Sequence, residues 1–307
     1  MSVDPRAAAG RPRSDLRRIA GLLAGLAIIG FLGWSIVDGW STITEYDWSP
    51  EPLPLIAGFA VLLLFYAMSG AGFAAILEAL GPTPGWATTI RIWAVSLLGR
   101  YVPGNVLMVV GRVVLLHDHG VSRRVSLAAT VYEQALALAA GAAGGVVYLA
   151  VAGGGAATWL VALIPLGLVL LHPRLFGPIS AWALRLARRD PLPVLIGGRR
   201  VAALAGWYLV TAAVSALGIW LCVRGVAGAG VGDPVEVGSA FLLSFALSMV
   251  AFVFPSGLGV REGVFAVALA RELPGSVAVA VSVGARLALT VAELVFIGIA
   301  LLVERLR

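Results

Sequence analysis

The sequence contains no lysine and only one cysteine in its 307 residues. With a single thiol, Cys222, no disulfide can form within the chain, and a cysteine-based metal site lacks its ligands. Cys222 lies in an apolar run and reads as an inert buried thiol. Charge is scarce too. Charged residues make up 12% of the chain, about half of the roughly 25% found in ordinary soluble domains. So little polar surface excludes a soluble protein of this length, and an apolar content of 60% excludes disorder. There is no Walker loop, no zinc-binding helix motif and no nucleophile elbow. The sequence therefore predicts neither an enzyme nor a cofactor.

What the chain does have is apolar helix. About twenty apolar residues cross a bilayer, and the expected fold is all-α: a polytopic integral membrane protein with about six full transmembrane helices and two re-entrant broken hairpins. Full spans are expected from Ile19 to Val37, Leu53 to Leu80, Ser126 to Val151, Ala157 to Leu171, Val201 to Val223 and Ser276 to Val303. Residues 1–18 form a basic tail, and residues 19–307 a single transmembrane domain. Six arginines between Pro173 and Arg200 mark an interfacial amphipathic stretch.

Two apolar segments break in the middle. The first runs from Ile92 to Leu98, stops at Gly99-Arg100-Tyr101-Val102-Pro103-Gly104-Asn105, and resumes from Val106 to Leu116. The second runs from Ser239 to Phe252, stops at Phe254-Pro255-Ser256-Gly257-Leu258-Gly259-Val260-Arg261-Glu262-Gly263, and resumes from Val264 to Leu269. Proline and adjacent glycine break a helix, and Pro103 suits the first turn of a new one. If both segments return to the side they left, the N-terminal arginines, Arg123, Arg124, the six after Pro173 and the C-terminal pair all share one side. Only Arg224 and Arg271 fall opposite. By the positive-inside rule, both termini are then cytoplasmic.

The same folding makes residues 53–152 and 201–303 two copies of one unit in opposite orientation, the inverted-repeat plan of many transporters. Pro103 corresponds to Pro255 and Arg112 to Arg261 in this alignment of breaks. Irregular backbone within a membrane leaves unpaired N–H groups, and each second half-helix points its positive end inward, which suits an anion.

Charges in the apolar layer are Arg100, Arg112, Glu133, Arg261, Glu262, Arg286 and Glu293. Each costs roughly 2.5–3.5 kcal/mol near the bilayer centre, so each needs a partner or a cavity. Arg286 and Glu293 share one helix face but lie about 10 Å apart along the axis, too far to pair directly. Each must meet another element, and the broken hairpins are the candidates. The arginines, with Glu133, Glu262 and Glu293 to orient them or exchange as partners, and the hairpin residues Pro103, Gly104, Asn105, Pro255, Ser256, Gly257 and Gly259, are the expected binding set for a phosphate-bearing head group. The competing reading is a set of ion pairs that only hold helices together. His117-Asp118-His119 reads as a solvated turn, and Glu45 and Asp47 as charge in an external loop.

Arg100-Tyr101-Val102-Pro103-Gly104 with Gly111-Arg112, then Gly120-Val121 leading to Glu133, resembles the first half of the lysylphosphatidylglycerol synthase transmembrane-region family. Pro255-Ser256-Gly257-Leu258-Gly259-Val260-Arg261-Glu262-Gly263, followed by Arg286, resembles its second half. In the multiple peptide resistance factor this region is the flippase-like part, which moves an aminoacylated phospholipid across the membrane. The resemblance implies a stand-alone member without the soluble synthase domain, since the sequence given ends shortly after Val303. Family members often carry an acidic residue just after the Glu133 position, where this chain has Gln134-Ala135-Leu136.

Together these readings predict a flippase or scramblase for a phosphate-bearing lipid, phospho- or polyprenyl-linked, in a bacterial plasma membrane. The expected partners are an anionic lipid and the bilayer, with no nucleic acid, and a second copy or an envelope-synthesis protein as further candidates. The alternatives are a membrane transferase using a lipid-linked donor and a non-transporting accessory subunit.

Overall fold

A computed structural model describes residues 30, 33–101, 106–152, 196–250 and 259–305. The expected span from Ala157 to Leu171, most of the first span, the arginine-rich stretch up to residue 195, and Pro103, Gly104, Asn105, Pro255, Ser256 and Gly257 lie outside the described residues.

After a short helix α1 (Trp40–Glu45), the chain forms α2 (Pro52–Leu80), α3 (Trp86–Leu97), a 3-10 turn (Leu98–Tyr101), α4 (Val106–Asp118) and α5 (Arg123–Val151). Beyond residue 195 come α6 (Gly198–Ala227), α7 (Pro234–Val250), α8 (Val260–Leu269) and α9 (Gly275–Arg305). Among the described residues every regular element is helical. The chain is an all-α, multi-pass membrane protein. Four helices, α2, α5, α6 and α9, are long and apolar enough to span a bilayer. At 1.5 Å per residue, the 12-residue α3 and 10-residue α8 reach only about 18 and 15 Å, half of a ~30 Å apolar layer.

The ends follow local chemistry. Pro52 sits in the first turn of α2, where its missing N–H costs nothing. Ser122 caps α5 by accepting the Val125 N–H at 3.3 Å. Helix α7 starts at Pro234, ahead of the expected Ser239, because Asp233 accepts the Val235 N–H at 2.7 Å. Helix α8 starts at Val260 rather than Val264, since Gly259, at φ +85°, makes the turn that precedes it.

The two arms beside each break pack against each other antiparallel. In the first, Ser96 meets Arg112 while Gly99 abuts Leu107 and Met108. In the second, Phe241 packs on Phe265 while Arg261 lies over Phe241 and Phe245. Long, short, short and long helices thus follow one another twice. Helix contacts repeat as well. The pairs α2–α3, α3–α4, α4–α5, α2–α5, α2–α9 and α3–α9 have their counterparts in α6–α7, α7–α8, α8–α9, α6–α9, α6–α5 and α7–α5.

The most extensive contact joins α2 to α6, which are corresponding elements of the two sets. Glu51 N–H donates to Gly225 O at 3.0 Å, and Trp207 Nε1 donates to Met68 O at 2.9 Å, so these helices run antiparallel. A two-fold relation that pairs a helix antiparallel to its own counterpart has its axis across the helices. That is the inverted arrangement. The approach is close: a Cβ on Gly58 would stand 2.8 Å from Cys222 N and 2.9 Å from Gly218 O. Gly58→Val is therefore expected to lower stability in detergent by about 1–3 kcal/mol through overpacking. Thermal melting checks this, with Gly206→Ala, where a Cβ meets open space, as the mild comparison. On the other side, Gly141, Gly144 and Gly145 of α5 give α7 the same close approach.

Candidate functional site

The intramembrane charges sort into two neighbouring clusters. The first is sealed. Arg112 of α4 is 0% exposed and Glu133 of α5 is 5% exposed. Arg112 Nη1 donates to Glu133 Oε2 in a very short ion pair. Arg112 Nε donates to Ser96 Oγ at 3.0 Å, and Trp93 Nε1 of α3 donates to Glu133 Oε1 at 2.5 Å. The guanidinium lies 4.5 Å above the Phe73 ring of α2. Four helices meet on this one pair, and its atoms face protein on every side.

The second cluster is looser and richer in positive charge. Arg100, in the 3-10 turn, pairs with Glu293 of α9 at 2.9 Å, and Tyr66 of α2 donates to the same carboxylate oxygen at 3.0 Å. Seven residues back along α9, Arg286 pairs with Glu262 of α8 at 3.1 Å. Glu262 also accepts the Gly259 N–H at 2.8 Å, so its carboxylate already occupies the positive end of α8. Its backbone oxygen accepts from Ser282 Oγ at 2.8 Å. The spacing of Arg286 and Glu293 is thus resolved by two different partners, one from each hairpin.

Arg261 completes the cluster. It has no carboxylate partner among the described residues, and its guanidinium instead stacks 4.6 and 5.3 Å from the Phe241 and Phe245 rings. Arg286 and Arg100 are near enough to act on it electrostatically. Among the described residues, Arg100, Arg261 and Arg286 have two carboxylates in direct ion pairs with them, Glu293 and Glu262, so within this cluster one positive charge is in excess. Arg261, Glu262, Phe265, Ser282, Arg286 and Leu289 line a cavity of about 10 Å³, room for about one water. That cavity, as the described residues stand, is too small for a lipid head group.

Of the sequence-derived set, Arg100, Gly259, Arg261, Glu262, Arg286 and Glu293 come together. Arg112 and Glu133 form the separate sealed pair. Helix by helix, the α4–α5 pair Arg112–Glu133 has its counterpart in the α8–α9 pair Glu262–Arg286, with cation and carboxylate on exchanged helices. Tyr66, Trp93, Ser96 and Ser282 were not anticipated. Only their polar atoms on apolar helices could have marked them. Glu45 and Asp47 are exposed and belong to neither cluster, and His119 Nδ1 bonds Leu115 O at 2.8 Å on the surface. Among the described residues, no three His, Cys, Asp or Glu side chains gather to hold a metal.

Two helical hairpins meeting on paired charges within an apolar helix bundle define a polytopic membrane protein. Residues 18–297 match the family model described as lysylphosphatidylglycerol synthase TM region, and the chain belongs to that family. This places it among membrane proteins related to lipid synthesis or flipping. No curated protein and no solved structure matches it.

Proposed function

We propose that the chain moves a phosphate-bearing lipid between leaflets without altering it chemically. The observation that carries this reading is Arg261, an arginine lying over two aromatic rings of α7 with no carboxylate in direct contact among the described residues, beside Arg100 and Arg286. A guanidinium in an apolar layer is costly unless an anion neutralises it, and it matches phosphate with two parallel hydrogen bonds. In this reading α3–α4 and α7–α8 are re-entrant from opposite sides of a bacterial plasma membrane, with both termini cytoplasmic. The head group enters where the hairpins part, exchanging with Glu262 and Glu293 for Arg286 and Arg100. Acyl chains stay in the bilayer.

The test uses protein in phosphatidylcholine vesicles carrying a trace of fluorescent phosphatidylglycerol. Wild type should equilibrate the probe across leaflets and return it chemically unchanged. Arg261→Ala should slow this by about 10- to 100-fold, the equivalent of one charge-assisted contact of ~1.5–3 kcal/mol. Wild-type vesicles no faster than empty ones, or an Arg261→Ala rate equal to wild type, would overturn the proposal. A modified probe would point to a transferase instead.

A further inference from the structure

The three buried carboxylates are not equivalent. Glu133 is enclosed by Arg112 and Trp93, away from the cavity. Glu262 has the Gly259 N–H and the positive end of α8, which go on stabilising its charge if Arg286 turns away. Glu293 has neither form of insurance. It lies mid-helix in α9, 2% exposed, and among the described residues its carboxylate meets Arg100 and the Tyr66 hydroxyl, with the Tyr101 hydroxyl nearby. A single cation accounts for its charge.

The nearest other cation is Arg261 of α8, which acts electrostatically on Tyr66 and Arg100 and which, in the lipid-transport reading, is taken by the phosphate itself. From α2 comes Tyr66, and from the 3-10 turn Arg100 and Tyr101. Helix α8 presents Arg261 and Glu262, the latter held by Arg286. Helix α3 carries one charge, Arg91, and contributes the Trp93 ring against Phe296. Helix α6 has its arginines only at its ends, Arg199, Arg200 and Arg224. Helix α1 meets the far end of α9, where Gly39 abuts Ser276.

We propose that Glu293 is the binding site of a co-transported proton, taken up when the lipid phosphate draws Arg100 away. This rests on the lipid-transport reading above. An ionised carboxylate stripped of its cation in an apolar layer is strongly disfavoured against its neutral form. Phosphate binding to Arg100 and protonation of Glu293 therefore favour each other, and by linkage the proton tightens phosphate binding equally. The proton comes from water on the side where the lipid enters and goes onto a Glu293 carboxylate oxygen. When the lipid leaves on the other side, Arg100 returns to Glu293 and the proton is released there. One negative charge on the lipid and one proton cross together. The coupled step is electroneutral, and a pH gradient can drive it without any nucleotide.

Two measurements test this. In weakly buffered detergent solution, adding dihexanoylphosphatidylglycerol to wild type should take up about one proton per lipid bound. Glu236→Gln, at a carboxylate that pairs with Arg271 outside both clusters, should still take it up, and Glu293→Gln should not. In the vesicles described above, a pH gradient should bias the fluorescent lipid to one leaflet with wild type. With Glu293→Gln it should only equilibrate. If wild type moves lipid but takes up no proton and ignores the gradient, proton coupling is refuted while lipid transport stands. Proton uptake lost in Glu262→Gln and kept in Glu293→Gln would assign the site to Glu262 and overturn the proposal. The uptake by wild type needs no variant, so a misfolded Glu293→Gln does not remove the test. If wild type moves no lipid at all, both readings fall.

Discussion

Arg112→Ala should come close to unfolding the protein. Breaking a buried ion pair by removing one partner costs about 3–5 kcal/mol, because the other charge stays buried alone. A domain of ordinary stability has only ~5–15 kcal/mol to lose. Here the orphan would be Glu133, 5% exposed, with Trp93 Nε1 as its remaining donor. Glu133→Ala should be as damaging, since it strands a guanidinium that is 0% exposed. The double change Arg112→Met with Glu133→Leu should recover most of the loss, because apolar replacement of a whole buried pair is often neutral. Tryptophan-fluorescence melts in detergent give all three numbers. Single variants that melt within a degree or so of wild type would show that the pair carries little of the stability.

Gly99→Ala is the second change expected to act strongly, and for a different reason. A Cβ there would lie 2.4 Å from Met108 N and 2.6 Å from Leu107 C, and both obstacles are backbone that no rotamer can move aside. The arms of the first hairpin must separate, and the residue carried along is Arg100, which holds Glu293 at 2.9 Å. A loss of about 1–3 kcal/mol in stability is expected from the overpacking, together with most of the lipid-moving activity. Amide hydrogen exchange should quicken across 98–118 more than elsewhere. Gly111→Ala, about one turn beyond Met108 in α4 and facing open space, should leave exchange there close to wild type. Equal effects from the two would mean that the hairpin closure does not depend on that contact.

Much of the architecture is legible in the residue order. The four long spans fall within a few residues of their expected limits, because an apolar run of that length has no other stable form in a bilayer. The breaks show because proline and glycine act locally. Less visible were the starts of α3 and α7, where polar residues such as Thr88 and Glu236 extend the helices beyond the purely apolar stretch. The spacing of Arg286 and Glu293 shows that they do not pair, but not which residues they meet. Those partners, Glu262 and Arg100, lie 24 and 193 positions away in the chain. Tyr66 and Trp93 escaped for a related reason. An aromatic residue on an apolar helix looks like packing until the carboxylate its polar atom touches is in place.

The sign reversal between the halves has a consequence for balance. Two identical inverted units could exchange shapes at no cost, and the molecule would favour neither face of the membrane. Here one unit holds its pair, Arg112–Glu133, shut within four helices, while its counterpart Glu262–Arg286 lines a cavity. To trade places, the sealed pair would have to loosen and the open one to close, each with its charges the other way round. If the chain moves lipid as proposed, the two arrangements would differ in energy, and the core itself would favour one of them as the resting posture.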